Sequence, residues 1–507
     1  MELISNAIAH LANRHLRRLG GRIPCSRAAL EKAQERNWGV LRKGLESTAI
    51  YRDLGLHDIR SYADFLRRVP VQGYEFYEKY VERLESGERQ VLFRDECADI
   101  ALTSGTSGYD SKRVPLNGKM LHLFRTTQML LAARVTQLEH GAIDFLRFNH
   151  LTFGSTPSLY RKGELNYGYI SGILTSRMPP LLRKNTFPSP RVISMPDWSE
   201  KLDALVEETV RRDVRIVSGI PSYILAIFER VLQHTGARQI QQVWPALEVF
   251  LYSGTPIGAY FRRIDEVVGR KLRYYGFYTS TEAPIGISHE AFPGETQLYL
   301  LNPKQLFSFS VPGSSDVVGI RDIQCGTPYH INVGTPNGFV HYALCDVVEF
   351  QEIDGALTFK LVGRRGDGLN LAAEKVTLDE LLQAVNDVTA AIGQELHHFF
   401  VTPSTDEQGR PAYEWTLFVG RPADLNSTAC AAALDSALQR RNLDYRDCRK
   451  VGVIGPPVVC GSDAGFIERL FESNRHKGQY KLRSVFASPG DRSRFLGERA
   501  ATVSVSS

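Results

Sequence analysis

The sequence predicts an α/β fold in which a large N-terminal domain is built on doubly wound, mixed or parallel sheets. A β-rich subdomain completes that domain, and a small α+β C-terminal domain follows on a hinge. Three observations predict this arrangement. Between Val214 and Tyr278, short apolar runs alternate with stretches of helical period, the pattern of strands and helices in a parallel sheet. From Thr296 to Leu361 the helical period disappears, and strand-like runs are punctuated by the turn signals Val311-Pro312-Gly313 and Pro336-Asn337-Gly338. After Gly363 the composition changes at GRRGDG, and helix and strand patterns regroup beyond it.

The first hundred residues read as polar and mostly helical, with segments at Ser26–Leu45, Ser61–Val69 and Gly73–Ser86. Short strands are expected at Val91–Phe93 and Asp99–Leu102. A Gly/Ser/Thr-rich loop follows, and then a helix from Gly118, where Leu121, Phe124, Leu131, Val135 and Leu138 recur near the helical period. Val214–Val217, Leu247–Tyr252 and Lys271–Tyr278 read as strands, separated by helices at Ser222–Gln233 and Gly258–Val268. The C-terminal part reads as a helix (Thr377–Val388), strands (His398–Thr402 and Glu414–Val419), a helix (Asn426–Arg440) and a strand (Arg449–Val453). The expected organisation is therefore residues 1–364 for the first domain, 365–368 for the hinge and 369–507 for the second.

Bulk composition narrows the function. The 507 residues are 43% hydrophobic and 23% charged, enough to bury a substantial core without staples. A net charge of +5 is spread thinly, and the basic pairs Arg211-Arg212 and Arg440-Arg441 read as solvated helix faces. Neither a nucleic-acid partner nor a membrane surface is expected. No apolar run reaches the roughly 18 residues of a membrane span, and the N-terminal stretch is broken by Asn6 and His10, unlike a signal peptide. Seven cysteines without a CxxC pair argue against a disulfide framework or a zinc site and suit a reducing, cytoplasmic setting.

The sharpest local feature is LTSGTSGYDSKRVPL, Leu102 to Leu116, read as a loop between a strand and a helix. Glycines let backbone N–H groups converge on one concavity, hydroxyls add donors, and Lys112 can set a charge on a phosphate oxygen. It is not a Walker A loop, because Ser111 stands where that motif needs glycine. Taken alone, it reads equally as a surface turn.

The loop resembles the phosphate loop of the adenylate-forming superfamily, and most closely that of the Gretchen Hagen 3 family of acyl-acid amido synthetases. Ser104, Gly105, Thr106, Ser107, Lys112 and Pro115 carry the match, whereas Tyr109 replaces an expected glycine. Three further segments resemble the same family in the same order. In YTSTEAPIGI (Tyr278 to Ile287), the resemblance makes Glu282 a Mg²⁺ ligand and sets Tyr278 and Thr279 near adenine or the α-phosphate. Upstream, LYSGTPIG gives Ser253 and Gly254 as backbone contacts to the nucleotide. In NGFVHYALCDVVEF, Asp346 matches the aspartate that grips the ribose hydroxyls, although His341, Ala343 and Cys345 depart from G-L-Y-R-Y-x-x-G-D. At the hinge, Arg364, Asn370, Glu374 and Lys375 match, with the closing Glu380 two residues late. Near the C-terminus, GQYKLRSV supplies Lys481 for charge stabilisation as pyrophosphate leaves. Each acid or lysine has a plainer reading as a surface or turn residue, but the likeness spans Tyr51 to Arg483.

The resemblance implies a firefly luciferase-like, adenylate-forming fold. It also implies an ATP-dependent ligase with Mg²⁺ that adenylates a small carboxylic acid and passes the acyl group to an amine or amino acid, giving an amide, AMP and pyrophosphate. The helix with Phe124 and Gln128 and the loop with Ile220, Pro221 and Ser222 are its candidates for the acyl site, against a reading as core packing. Two other functions stay open: an acyl-CoA ligase forming a thioester through the same acyl adenylate, and a catalytically silent nucleotide-binding protein. The acid, the amine and the oligomeric state are not readable from the sequence.

Overall fold

The computed structural model describes residues 2–103, 112–154, 159–364, 369, 371, 374, 376–450, 452–474, 482–486 and 488–496. Outside them lie Ser104, Gly105, Thr106, Ser107, Tyr109, the 365–368 hinge, Asn370, Lys375 and Lys481. Arg364 closes a strand, but its side chain is not described. The chain divides between Lys360 and Leu361 into two compact units.

Strand sequences of the first unit are rich in β-branched and aromatic residues on both faces, as a sheet covered on both sides requires. Val214, Ile216, Val217, Val249, Phe250, Tyr274 and Tyr275 are all buried. These strands join a twelve-stranded sheet. Its order from one edge is Val317–Val318, Leu306–Ser310, Pro328–Gly334, Tyr342–Ile353, Ala356–Arg364, Tyr299–Leu301, Pro284–Ser288, Arg273–Thr279, Val249–Tyr252, Val214–Gly219, Asn149–Phe153 and Thr186–Phe187. The last five are mutually parallel, and the rest of the pairing is antiparallel wherever its register is described. The expected β-rich region is thus the continuation of the parallel sheet.

Helices cover that sheet by simple periodicity. The helix Gly118–Leu138 starts where the Asn117 side chain accepts from the Met120 N–H at 2.8 Å. Its Leu130, Leu131 and Val135 pack on Ile216, Val249 and Tyr275, which share one face of their strands. The helix Pro221–Thr235 follows Val214–Gly219 directly and buries Tyr223, Ile224, Ile227, Phe228 and Val231.

A second, four-stranded sheet has the order Arg113–Leu116, Asp99–Leu102, Leu165–Tyr169, Tyr160–Lys162. Here the structure corrects the sequence reading. Residues 104–111 connect two antiparallel neighbours, Leu102 opposite Arg113, so the glycine-rich segment spans a hairpin and does not run straight into a helix. Val91–Phe93 is also not a strand. The Gln90 and Val91 carbonyls accept from Ala49 and Ile50 N–H at 2.9 and 3.1 Å, serving the first turn of the helix Ala49–Asp53.

In the second unit, Leu396–Thr405, Pro411–Val419 and Val458–Asp463 form a three-stranded sheet. Tyr413, Trp415, Leu417 and Val419 pack there with Leu434, Ala437 and Leu438 of the helix Ser427–Arg441. Buried Glu374 accepts from the Leu371 N–H at 2.7 Å and from the Tyr413 phenol. Glu380, the late glutamate of the hinge motif, closes a capping box with Thr377 on the helix Leu378–Asp387. The expected strand Arg449–Val453 is absent: Arg449 belongs to the helix Leu443–Lys450, where Asp435 holds its guanidinium at 2.8 Å. The sequence reading also missed the strands Asn149–Phe153 and Val458–Asp463.

Buried histidines make both units sensitive to acid. His341 Nδ1 donates to the Val69 carbonyl at 2.8 Å, leaving Nε2 to accept from Ser308, so the ring is held neutral. Burial lowers its pKa to about 4, and does the same for His398 in the second unit. The unfolded chain takes up these protons near pH 6.5, whereas the folded chain resists until about pH 4. Stability is therefore expected to be level above pH 6.5 and to fall below it, by up to about 1.4 kcal/mol per pH unit per histidine. Denaturant midpoints between pH 8 and 5 check this, and a flat profile down to pH 5 contradicts it.

Candidate active site

The parallel strands Asn149–Phe153, Val214–Gly219 and Val249–Tyr252 end in register, with Phe153 beside Gly219 and Gly219 beside Tyr252. Carboxyl edges of this kind are where open α/β sheets bind ligands. Gly219 takes φ +156°, and a Cβ there would lie 2.6 Å from the Phe153 carbonyl oxygen, so the backbone turns here only without a side chain. Ile220 and Pro221 follow and are buried, with Ser222 half-buried. On the next strand the Ser253 N–H donates to the Gly219 carbonyl at 3.3 Å, and Gly254 is exposed. The structure thus lines Ser253, Gly254, Ile220, Pro221 and Ser222 along one edge. Phe124 (buried) and Gln128 (exposed) lie one turn apart on the helix Gly118–Leu138, which packs over one face of that sheet.

The neighbouring strand Arg273–Thr279 runs past this edge into a tight turn. The Ser280 N–H donates to the Ala283 carbonyl at 2.9 Å, and the Ala283 N–H donates back to the Ser280 hydroxyl at 3.1 Å. The Thr279 hydroxyl donates to the Ser280 carbonyl at 3.1 Å. This turn fixes Glu282, a carboxylate residue only 6% exposed.

Across from it lies the start of the strand Tyr342–Ile353. The Tyr342 phenol donates to Glu282 Oε1 at 3.0 Å, and Lys112 Nζ donates to the Tyr342 oxygen at 3.2 Å. Three motifs far apart in sequence thus meet through one hydroxyl. Four residues along each segment is a second link, in which the Tyr278 phenol donates to Asp346 Oδ2. Tyr278 is itself braced by Tyr299 and Phe359, with ring centroids 5.6 and 5.8 Å away.

Lys112 is aimed by its surroundings. Its N–H donates to the Thr103 hydroxyl and its carbonyl accepts from the Thr103 N–H, both at 3.0 Å, so the ends of the hairpin are pinned. The ammonium lies 5.6 Å from the Tyr74 ring and 5.8 Å from that of Tyr342, within cation–π range. The Tyr74 phenol meanwhile accepts from the Arg113 N–H at 2.9 Å and donates to its carbonyl at 3.2 Å. Arg113 is tied to Glu85, whose other oxygen accepts from Tyr167 at 2.8 Å.

Sequence reasoning therefore placed Lys112, Glu282, Tyr278 and Asp346 in one site and missed Tyr342 and Tyr74. A signal for Tyr342 was available, since it stands at a tyrosine of the family pattern. Among the departures from that pattern, His341 turns away from the site into the core. Cys345, at the position where the family pattern has glycine, takes φ +67°, in the left-handed region that favours glycine. A side chain in that region costs about 1–2 kcal/mol, and glycine's extra freedom in the unfolded chain offsets part of the relief. Cys345→Gly is expected to stabilise the first unit by about 0.5–1 kcal/mol and Cys345→Val to destabilise it. Thermal unfolding of the two variants checks the ordering, and equal shifts in both would refute it.

The described residues contain no cluster of three or more His, Cys, Asp or Glu side chains suited to a metal, and no helix among them is long and apolar enough to cross a membrane. All seven cysteines are free.

The chain is similar to known proteins in sequence and in fold. Residues 27–234 match the GH3 family N-terminal domain and residues 379–489 the GH3 family C-terminal domain, the Gretchen Hagen 3 group of the sequence resemblance. The probable indole-3-acetic acid-amido synthetase GH3.1 of Arabidopsis thaliana is 21% identical over 494 residues, covering 82% of each chain. The jasmonoyl–L-amino acid synthetase GH3.5 of Oryza sativa subsp. japonica is 30% identical over 148 residues, 28% of this chain and 25% of that one. Among solved structures, the acyl acid amido synthetase AtGH3.15 in complex with 2,4-DB superposes with a TM-score of 0.75 at 19% identity, covering 96% of this chain and 95% of that one. A 2-hydroxyisobutyryl-CoA ligase in its postadenylation state gives a TM-score of 0.59 at 14% identity, over 91% of this chain and 90% of that one.

Proposed function

Because this chain belongs to the GH3 family, we propose that it is an ATP-dependent acyl-acid amido synthetase. A carboxylate oxygen of the bound acid attacks the α-phosphorus of ATP, the bond to the bridging oxygen breaks, and pyrophosphate leaves. The nitrogen of an amine or amino acid then attacks the acyl carbon, AMP departs, and the amine proton passes to solvent. The observation that carries this reading is the meeting of Lys112, Tyr342 and Glu282 beside the Tyr278–Asp346 pair.

In this scheme Ser104, Gly105, Thr106 and Ser107 offer hydroxyls and N–H groups to the phosphates, and Lys112 neutralises charge that grows as pyrophosphate separates. Ser253, Gly254, Tyr278 and Thr279 border the nucleotide. Asp346, oriented by the Tyr278 phenol, accepts from the ribose diol. By the family resemblance, Arg364 is a nucleotide-binding residue and Lys481 stabilises charge as pyrophosphate leaves. Phe124, Gln128, Ile220, Pro221 and Ser222 border the acid. Residues 1–364 then form the adenylation domain and 369–507 a mobile second domain turning about 365–368.

A buried carboxylate such as Glu282 fits magnesium, which takes one or two carboxylates plus substrate phosphates and does not require an all-protein cage. Glu282 would hold that ion, which when bound shields the charge of the triphosphate. The Tyr342 phenol fixes the orientation of the Glu282 carboxylate. Free cysteines support a reducing, cytoplasmic setting.

The test is pyrophosphate–ATP exchange across a panel of carboxylic acids, followed by mass detection of products with amines and with coenzyme A. Acid-dependent exchange with an amide product is expected. A thioester as the main product would make the chain an acyl-CoA ligase, and ATP binding with no exchange for any acid would make it a silent nucleotide binder.

A further inference from the structure

The Tyr342 phenol touches two charged members of the proposed ATP site, Lys112 and Glu282, and its contact with the cation has no part in the chemistry described so far. Lys112 Nζ lies 3.2 Å from its oxygen, and Glu282 Oε1 lies 3.0 Å from the same oxygen. An ammonium and a largely buried carboxylate this close attract each other strongly, because the local dielectric is low. Direct pairing would satisfy both charges and leave neither for a ligand.

Tyr342 is well placed to prevent it. The residue is 1% exposed. Its ring stacks on Phe339, with centroids 5.0 Å apart and planes at 22°, and lies 5.8 Å from Tyr77. Its backbone is held from both edges: Gln72 donates to the His341 carbonyl at 2.9 Å and accepts from the Ala343 N–H at 3.0 Å, while Val333 faces Tyr342 across the sheet. A hydroxyl on so rigid a mount is a fixed spacer. It donates to the anion and accepts from the cation, which suits a neutral phenol and either order of ligand arrival.

We infer that Tyr342 is a positioning residue that holds Lys112 and Glu282 apart, keeping the ammonium for a phosphate and the carboxylate for the accompanying cation. The inference rests on the proposed ATP site. Without the hydroxyl the two side chains close on each other, and ATP must break that pair in order to bind.

The test is calorimetric titration of ATP, with and without Mg²⁺, into the full-length protein and its variants, with no acid present so that nothing turns over. Tyr342→Phe keeps the stacked ring and is expected to leave the circular dichroism spectrum unchanged while weakening Mg·ATP binding about 10–100-fold, the range for a group that orients a ligand. The deciding variant is Tyr342→Phe combined with Glu282→Gln. Removing the carboxylate's charge frees Lys112, so metal-free ATP binding should recover toward that of Glu282→Gln alone. Parental affinity in Tyr342→Phe, or a loss that the added Glu282→Gln does not relieve, overturns the inference and leaves the ATP site standing. Failure of the parent protein to bind ATP overturns both. Should Tyr342→Phe not fold, 3-fluorotyrosine at position 342 keeps the shape and strengthens the bond donated to Glu282. The Mg²⁺ midpoint for ATP binding then rises at least twofold, and an unmoved midpoint is again the overturning result.

Discussion

Glu282→Gln is expected to reduce acid-dependent pyrophosphate–ATP exchange by about 10²–10³-fold, the loss seen when one preorganised electrostatic group is removed from a reacting phosphate or acyl centre. The substitution is nearly isosteric. The amide oxygen can still accept from the Tyr342 phenol, so the turn Ser280–Ala283 and the strand opposite should hold their places. What disappears is one negative charge in a position only 6% exposed. A carboxylate there serves a hard cation better than a neutral amide does, since magnesium favours anionic oxygen ligands. Raising Mg²⁺ should therefore recover part of the exchange in the variant, whereas the parent saturates early. Melting temperatures of the two proteins should differ by only a few degrees. Exchange within about threefold of the parent, with an unaltered Mg²⁺ requirement, would remove Glu282 from the proposed chemistry.

Much of this site was legible because its parts are short and carry chemistry locally. A glycine-rich segment with a lysine, one acid in YTSTEAPIGI and one aspartate in ALCDVVEF each stand out by residue type. The parallel strands were legible for a different reason: Val214–Gly219 and Val249–Tyr252 are buried on both faces and read as apolar runs. Asn149–Phe153 was missed because His150 and Thr152 break its run, and its place in the sheet is set by Val214–Gly219, some sixty residues away. The hairpin around residues 104–111 was misread as a strand-to-helix loop because Arg113–Leu116 is short and contains Pro115. Only its register with Asp99–Leu102 shows that it is a strand. Arg449 looked like the start of a strand until Asp435, fourteen residues earlier, was seen to claim it. Tyr342 is the clearest case. Its phenol meets partners 230 and 60 residues away in sequence, and that register is fixed by the sheet and by Gln72, so the family's tyrosine marks the position but not the contacts it makes.

Lys112→Met should also cost about 10²–10³-fold in exchange, but with a signature opposite to that of Glu282→Gln. The lysine holds no cation, so its loss should leave the Mg²⁺ requirement unchanged and appear as a fall in maximal rate that no metal concentration repairs. The geometry gives the reason. Lys112 and Thr103 are joined by two bonds of 3.0 Å at the ends of paired strands, and the Lys112 ammonium lies 5.6 and 5.8 Å from the rings of Tyr74 and Tyr342. The ammonium is thereby delivered to a fixed point beside the Tyr342 oxygen. A methionine keeps the length and apolar character of the stem, so the paired strands and their Arg113 anchor to Glu85 should survive and the melting temperature should stay near that of the parent. Lys112→Arg should recover little, because a planar fork cannot occupy the position of a compact ammonium without displacing Tyr342. If Lys112→Met retained parental exchange, the charge at this point would not act on the leaving pyrophosphate. The glycine-rich segment would then have to bind phosphate through its backbone and hydroxyls alone.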